Sequence, residues 1–506
     1  MNRRDFMLKT LYSSLALGFA GGAQAQNAMS GMNHAGMRMP AADLTNAAPL
    51  ASLDVLPKGL PLSTLPVLAN QSSDAQLFKA TLTAAPMTHE IIKGKPTTIW
   101  AYNQSAAPLL IEWTEGMTVE IELINDLPQT TTIHWHGLPV PPDQDGAPQD
   151  GVPPKGRRMY RFTLPDDCAG TYWFHPHPHG ITHEQVFRGL AGVIVVKPKH
   201  KDALTDVKEV HWVVTDLKLN ADGRIAENDA NDVMNGREGQ FLLVNGQYQP
   251  SLNVSEPVRV RLWNATNARF LNLQWLGESG QAQDLLQIGT DGGLLTAAES
   301  HSTLLVASGE RVELLLSPKE SKMSVHASAY NQGKMGGAKP TPATPLLSIH
   351  ASPMDKGLEL PAQLRAISPL GGATVTQNVV FSETMSMENG VHQMNFLLNG
   401  KKFDMQRVDF TSKEGEIEEW RVENTSDMDH PFHIHGGQFQ LQRREWIDPS
   451  RGSPTAFSLA WKDTVNVKSG ERVVFKMVQK HKGLRMLHCH ILEHEDAGMM
   501  ANLNVV

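Results

Sequence analysis

The chain has 506 residues, 41% of them apolar, with 41 glycines and 31 prolines, so several packed cores joined by many turns are expected rather than one. A formal charge of -8 with no basic tract excludes a nucleic-acid-binding surface. Two cysteines, Cys168 and Cys489, exclude a disulfide-stapled fold, and Cys168 reads as a free, buried, small apolar residue.

Residues 1–25 read as an export signal. Arg3-Arg4, followed by Phe6, Leu8 and Lys9, fits a twin-arginine pattern. The apolar run from Leu11 to Ala20 is too short to span a bilayer, and Ala23-Gln24-Ala25 has the small-residue form of a cleavage site. The Tat export machinery moves folded proteins, so the expectation is a bacterial periplasmic protein that leaves the cytoplasm with any cofactor in place. No other long apolar stretch is present, so no stable membrane insertion is expected, and the expected state is a monomer. Residues 26–75 read as a Met-rich leader and linker. The run MSGMNHAGMRM at 29–39 includes His34 and carries soft thioethers that suit Cu(I), although a disordered linker has the same composition.

From about residue 76 the pattern is strand-like. Thr118-Val119-Glu120-Ile121-Glu122-Leu123-Ile124 alternates apolar and polar residues. The same phrase recurs from Val258 to Asn264 and from Gly415 to Asn424. The first and third copies are followed within about a dozen residues by His-x-His-Gly, at 134–137 and 433–436, and the second is not. A repeat of roughly 150 residues predicts three related β-sandwich domains, at 76–200, 205–352 and 375–506, with the chemistry in the first and third.

Four His-x-His pairs carry that chemistry: His134/His136, His175/His177, His433/His435 and His488/His490. On a strand, residues i and i+2 face the same way, so each pair presents two imidazoles to one side. Eight imidazoles suffice for a three-metal cluster with room for oxygen. Cys489 lies between the last two and points to the opposite face. A second site is predicted there, with His430, His494 and a weak axial Met499 completing a blue-copper ligand set; Met500 is the rival axial residue. Electrons entering at that sulfur reach both flanking histidines through the backbone. Zinc is a poor rival, because it has no redox chemistry.

These motifs resemble the multicopper oxidase family, which includes laccases and periplasmic copper oxidases of the CueO type. The resemblance runs from about residue 76 to the end. It implies an all-β chain of three cupredoxin-like Greek-key β-sandwich domains holding four copper ions, with dioxygen as electron acceptor. One type 2 copper would be held by His134 and His433. Two type 3 coppers would be held by His136, His175, His177, His435, His488 and His490. One type 1 copper would be held by His430, Cys489, His494 and Met499. His179, in the same run as His175 and His177, is not expected to be a ligand. Asp145 and Glu495 resemble the family's proton-relaying acids. For the reductant, Met385, Met387 and Met394, with Met428 between Asp427 and Asp429, suggest a soft Cu(I) site. The expected activity is oxidation of Cu(I), and of phenols, in periplasmic copper tolerance. The alternatives are a laccase of organic phenols, a metal-free cupredoxin scaffold like the superfamily's cell-division protein, and a copper store without turnover.

Overall fold

A computed structural model describes residues 48–352, 358–388, 391–454 and 457–506; the twin-arginine segment, the Met-rich run and His34 lie outside the described residues. Within these bounds strands far outnumber helices and form six sheets that close as three sandwiches. The first pairs two four-stranded sheets, the second a seven- with a six-stranded sheet, and the third a six- with a five-stranded sheet. Each sandwich has its own core, built on Trp113, Trp135 and Tyr160, then Trp212, Leu262 and Trp275, then Trp420, Phe432 and Phe475. The arrangement is the expected all-β, cupredoxin-like one.

The repeated phrase forms an equivalent strand in each sandwich and ends each time on asparagine. The side-chain amides of Asn125, Asn264 and Asn424 each donate to two backbone carbonyls across the following turn: Gln129 and Val152, Arg269 and Val306, Met428 and Val467. A buried asparagine with these partners fixes the turn. In the first and third sandwiches that turn leads into the histidine strands His134–His136 and His430–Ile434.

Thr118–Asn125 and Ile417–Asn424 alternate half-buried and buried residues, as strands with one wet face do. Val258–Asn264 departs from that pattern, because every residue in it is buried. The first sandwich covers its outer face. Arg259 and Arg261 therefore turn onto Glu313, at 2.6 and 2.7 Å, and Arg261 also reaches Thr171 at 2.7 Å. Buried guanidinium groups are tolerated there because each is paired.

Residues 48–75 are not the free linker expected. Leu50 bridges Asn220, Pro61 bridges Ser251 and Val67 bridges Leu110. Ala51, Leu56, Leu65 and Leu68 are buried. A leucine every few residues has enough apolar surface to dock, and the segment straps the first two sandwiches together. Among the described residues, no helix is long and apolar enough to cross a membrane.

Candidate metal centres

Eight imidazoles meet between the first and third sandwiches, all of them buried. His134 and His136 lie on one strand and point away from Trp135, which enters the core. The other three pairs straddle strand ends. His175 closes Gly170–His175, so Pro176 and His177 lie beyond it. His435 follows His430–Ile434, and His490 follows Gly483–Cys489. Strand alternation alone thus explains one pair, and the turns aim the second histidine of the rest. Register places His134 opposite His175 and His433 opposite His488. Rings of the two sandwiches then stack, His134 on His435 and His136 on His433, each with centroids 3.8 Å apart.

The hydrogen bonds behind these rings fix which nitrogen faces inward. His134 Nδ1 donates to the Asp145 carbonyl (3.1 Å), His175 Nδ1 to Pro176 (2.8 Å), His433 Nδ1 to Asp463 (2.8 Å) and His488 Nδ1 to Cys489 (3.0 Å). His435 Nδ1 donates to the Asp145 carboxylate at 3.0 Å, and His490 Nδ1 to the Ser308 hydroxyl at 3.3 Å. His136 is reversed, with Nε2 donating to Asp463 Oδ1 at 3.0 Å. An imidazole that donates from one nitrogen offers a lone pair at the other. Accordingly His134 Nε2, His136 Nδ1, His175 Nε2, His433 Nε2 and His490 Nε2 are buried without any hydrogen-bond partner. His488 Nε2 lies 3.2 Å from both His177 Nε2 and His435 Nε2. Burial and the neighbouring imidazoles press His136, His175, His177, His433 and His490 well below the ordinary histidine pKa. Converging neutral nitrogens repel unless a cation sits among them, so the residues fit metal.

Two acids border the cluster. Asp145 lies 3.2 Å from His134, 3.0 Å from His435 and 3.4 Å from Arg485. Burial opposes its charge, yet His435 and His134 hold its carboxyl well below the usual range. Glu495 lies 3.1 Å from His488 and 3.5 Å from His177, and burial pushes its carboxyl up.

The second site lies inside the third sandwich. Phe432 pairs with Cys489 across the sheet, which brings His430 Nδ1 to 3.3 Å from Cys489 Sγ. His494, on the short helix Leu492–Asp496, places Nδ1 3.4 Å from His430 Nδ1. The outer nitrogens are both donors: His430 Nε2 to Glu383 (3.0 Å) and Ser426 (2.9 Å), His494 Nε2 to the Met234 carbonyl (3.1 Å). Two lone pairs therefore face each other beside a thiol whose pKa burial drives up. A cation resolves both conflicts. Met499 shares the core of Cys489, and its carbonyl accepts from the Cys489 amide at 3.0 Å. Met500 instead packs with Met486 and Ala147. Cys168 is free and buried, as expected, and His179 is exposed against Phe403, outside the cluster.

The methionines divide. Strands Val375–Glu388 and Val391–Leu398 form a hairpin in which Met385 lies opposite Met394. Phe381, Glu383, Met385 and Met387 share one face by alternation. Its inner end covers the second site, with Phe381 5.5 Å from His430 and Phe396 stacked on His494 at 3.9 Å. Met387, at 65% exposure, marks the outer end. Met428 corrects the expectation. It is 0% exposed, within the third core beneath the asparagine turn, so its thioether cannot meet a dissolved substrate. Asp427 is exposed, while Asp429 is buried and tied to Tyr330 and Asn466. Sequence reasoning missed Glu383, although it lies two residues before Met385. It also missed Asp463 and Met234, for which no spacing signal exists.

Fold and site together define a copper-dependent oxidase. Models of the family described as multicopper oxidase match residues 83–201 and 375–506. A solved multicopper oxidase of Campylobacter jejuni, described as a metallo-oxidase, is 40% identical, with a TM-score of 0.85 over 90% of this chain and 98% of that one. A solved laccase of Pediococcus acidilactici is 31% identical, with a TM-score of 0.76 over 89% of this chain and 95% of that one. The multicopper oxidase mco of Staphylococcus haemolyticus is 31% identical over 449 residues, 87% of this chain and 91% of that protein. The chain belongs to the multicopper oxidase family.

Proposed function

We propose that the chain takes one electron at a time from Cu(I) and delivers four to dioxygen, which with four protons becomes two waters. The observation that carries the substrate is the hairpin face on which Met385 and Met394 continue outward from Glu383, the carboxylate that accepts from His430. Thioethers select a soft cation and the carboxylate adds charge. The metallo-oxidase description of the Campylobacter relative is in keeping with this reading.

His430, Cys489, His494 and Met499 would hold one copper, His134 and His433 a second, and His136, His175, His177, His435, His488 and His490 a pair. When bound, these four ions supply one-electron storage. Cys489 is bonded through the chain to His488 and His490, so the sulfur and the cluster share a short covalent path. Phe381 and Phe396 keep water from the outer imidazoles. Asp145, whose carboxyl His435 and His134 hold low, and Glu495, whose carboxyl burial pushes up, form a pair suited to accepting and giving protons beside the cluster. The Arg3-Arg4 signature supports export by the Tat pathway and a periplasmic role in copper tolerance.

The test measures oxygen uptake with Cu(I) and with a bulky phenol, in wild type and in a Met385→Ala/Met394→Ala variant. The expected result is a Cu(I) rate reduced about 10-fold or more with the phenol rate retained. Equal rates for Cu(I) in both proteins would move the substrate site elsewhere. Uptake with phenol alone would make the chain a laccase, and no uptake with any reductant a copper store or scaffold.

A further inference from the structure

The middle sandwich contributes no histidine to the cluster, yet its Ser308 meets the His490 ring and its Arg311 grips Asp463 behind two others. We propose that Arg311 is a positioning residue for the eight-histidine cluster and acts through Asp463. This rests on the reading that the cluster holds copper.

Asp463 touches two of the eight rings. Its Oδ1 accepts from His136 Nε2 at 3.0 Å, and its main-chain carbonyl accepts from His433 Nδ1 at 2.8 Å. One residue of the third sandwich thus sets a ring of the first and a ring of its own. His136 depends on it most, because its inward nitrogen is Nδ1, the reverse of His134, His175, His433 and His490. A carboxylate behind Nε2 keeps the proton there and leaves Nδ1 as a lone pair. The Thr464 hydroxyl, 3.1 Å from His136 Nε2, is spent on Asp463 Oδ1 at 2.9 Å, so it reinforces the same arrangement.

Arg311 holds that carboxylate. Nη1 meets Oδ1 at 2.6 Å and Nη2 meets Oδ2 at 2.5 Å, a two-pronged contact that a planar guanidinium makes and an ammonium cannot. The guanidinium is itself fixed. Nε donates to the Thr171 carbonyl of the first sandwich at 2.8 Å, and Nη1 also donates to Gly309 at 3.0 Å. The Arg311 amide donates to Asp291 at 2.8 Å, and Lys462 balances Asp291 at 3.0 Å. All of these groups are buried or nearly so. The packing leaves no slack: a Cβ on Gly137, beside His136, would overlap the Asp463 carboxylate, and one on Gly309 would lie 2.8 Å from the His490 ring. Arg311 therefore joins all three sandwiches at the point where two rings are aimed.

The experiment uses the full, copper-loaded chain with Arg311→Met and Arg311→Lys. Copper per chain, the electron paramagnetic resonance of type 2 copper, and the thiolate-to-copper absorption at Cys489 are read on the same sample, with unfolding of the copper-free chain alongside. Wild type binding no cluster copper would overturn the parent reading itself. With wild type loaded, Arg311→Met is expected to bind cluster copper about 10–100-fold more weakly while the Cys489 absorption per chain persists, with Arg311→Lys in between. Wild-type copper content and type 2 resonance in Arg311→Met would overturn the proposal. So would equal loss of both sites alongside a lower unfolding temperature, since that describes a stability bridge only. If Arg311→Met yields no folded chain, Arg311→Lys decides: less cluster copper per chain with the Cys489 absorption retained supports the proposal, and wild-type copper content overturns it.

Discussion

The two metal centres lie next to each other in sequence and are built in opposite ways. The His430–Cys489–His494 site is built inside one sandwich: its ligands share a core with Phe381, Phe396 and Met499, and the middle sandwich adds the Met234 carbonyl and the packing of Ala268, Phe270 and Ala307. The eight-histidine cluster belongs to none. Its rings come from the first and third sandwiches, and buried charges such as Asp145 and the Arg311–Asp463 pair hold it from behind. A site inside a core inherits its rigidity from packing. A site between bodies has no single core to set its rings and relies on polar partners, and seven of its eight histidines donate to an identified acceptor.

The comparison breaks most sharply at Cys489, the one residue placed between the centres. Cys489→Ser removes the sulfur but keeps a small polar side chain, so the backbone and the flanking His488 and His490 stay in register. The expected outcome is loss of the thiolate absorption and of all turnover with Cu(I) and phenol, with cluster copper and its type 2 resonance retained. Loss of cluster copper in this variant would show that the two centres are not separately built.

Asp145 sharpens the other side. Asp145→Asn keeps the shape and the main-chain acceptor for His134 but loses the charge facing His435 and Arg485. Turnover is expected to fall about 10–100-fold at full copper loading. Wild-type turnover with full loading would remove Asp145 from the proton path.

How much of this was legible in the sequence follows the same division. The histidine pairs, the cysteine between two of them and the asparagine-ended strand phrase are local patterns, and strand geometry turns them directly into faces. What lay behind the rings was not legible. Asp463 is 327 residues from His136, and Arg311 is 152 from Asp463; neither bears a recognisable motif. Arg259 and Arg261 read as the wet face of a strand, because a sequence does not reveal that another sandwich will cover it. Met428 failed for the converse reason. Its acidic neighbours suggested a Cu(I) site, whereas the turn closed by Asn424 sends Asp427 outward and Met428 into the core.

The smallest expected effect concerns a clip between the two constructions. Helix Leu492–Asp496 carries His494 of one centre and Glu495 of the other, and Asp496 anchors it to the first sandwich. The Asp496 carboxylate accepts from the amides of Gly180 (2.9 Å) and His183 (2.8 Å) and from His183 Nδ1 at 2.6 Å. Burial lowers the His183 pKa, but Asp496 and Glu493 outweigh it and hold the value above that of an ordinary histidine. A histidine with a raised folded pKa adds stability that is full below its unfolded value, about 6.5, and is lost as pH rises through the folded one. His183→Gln keeps a donor and removes the charge. Copper-free wild type should therefore unfold at a higher temperature than the variant at about pH 6, with the gap closing toward about pH 9. Parallel curves across that range would mean that the charge contributes nothing and that the two backbone amides hold the helix alone.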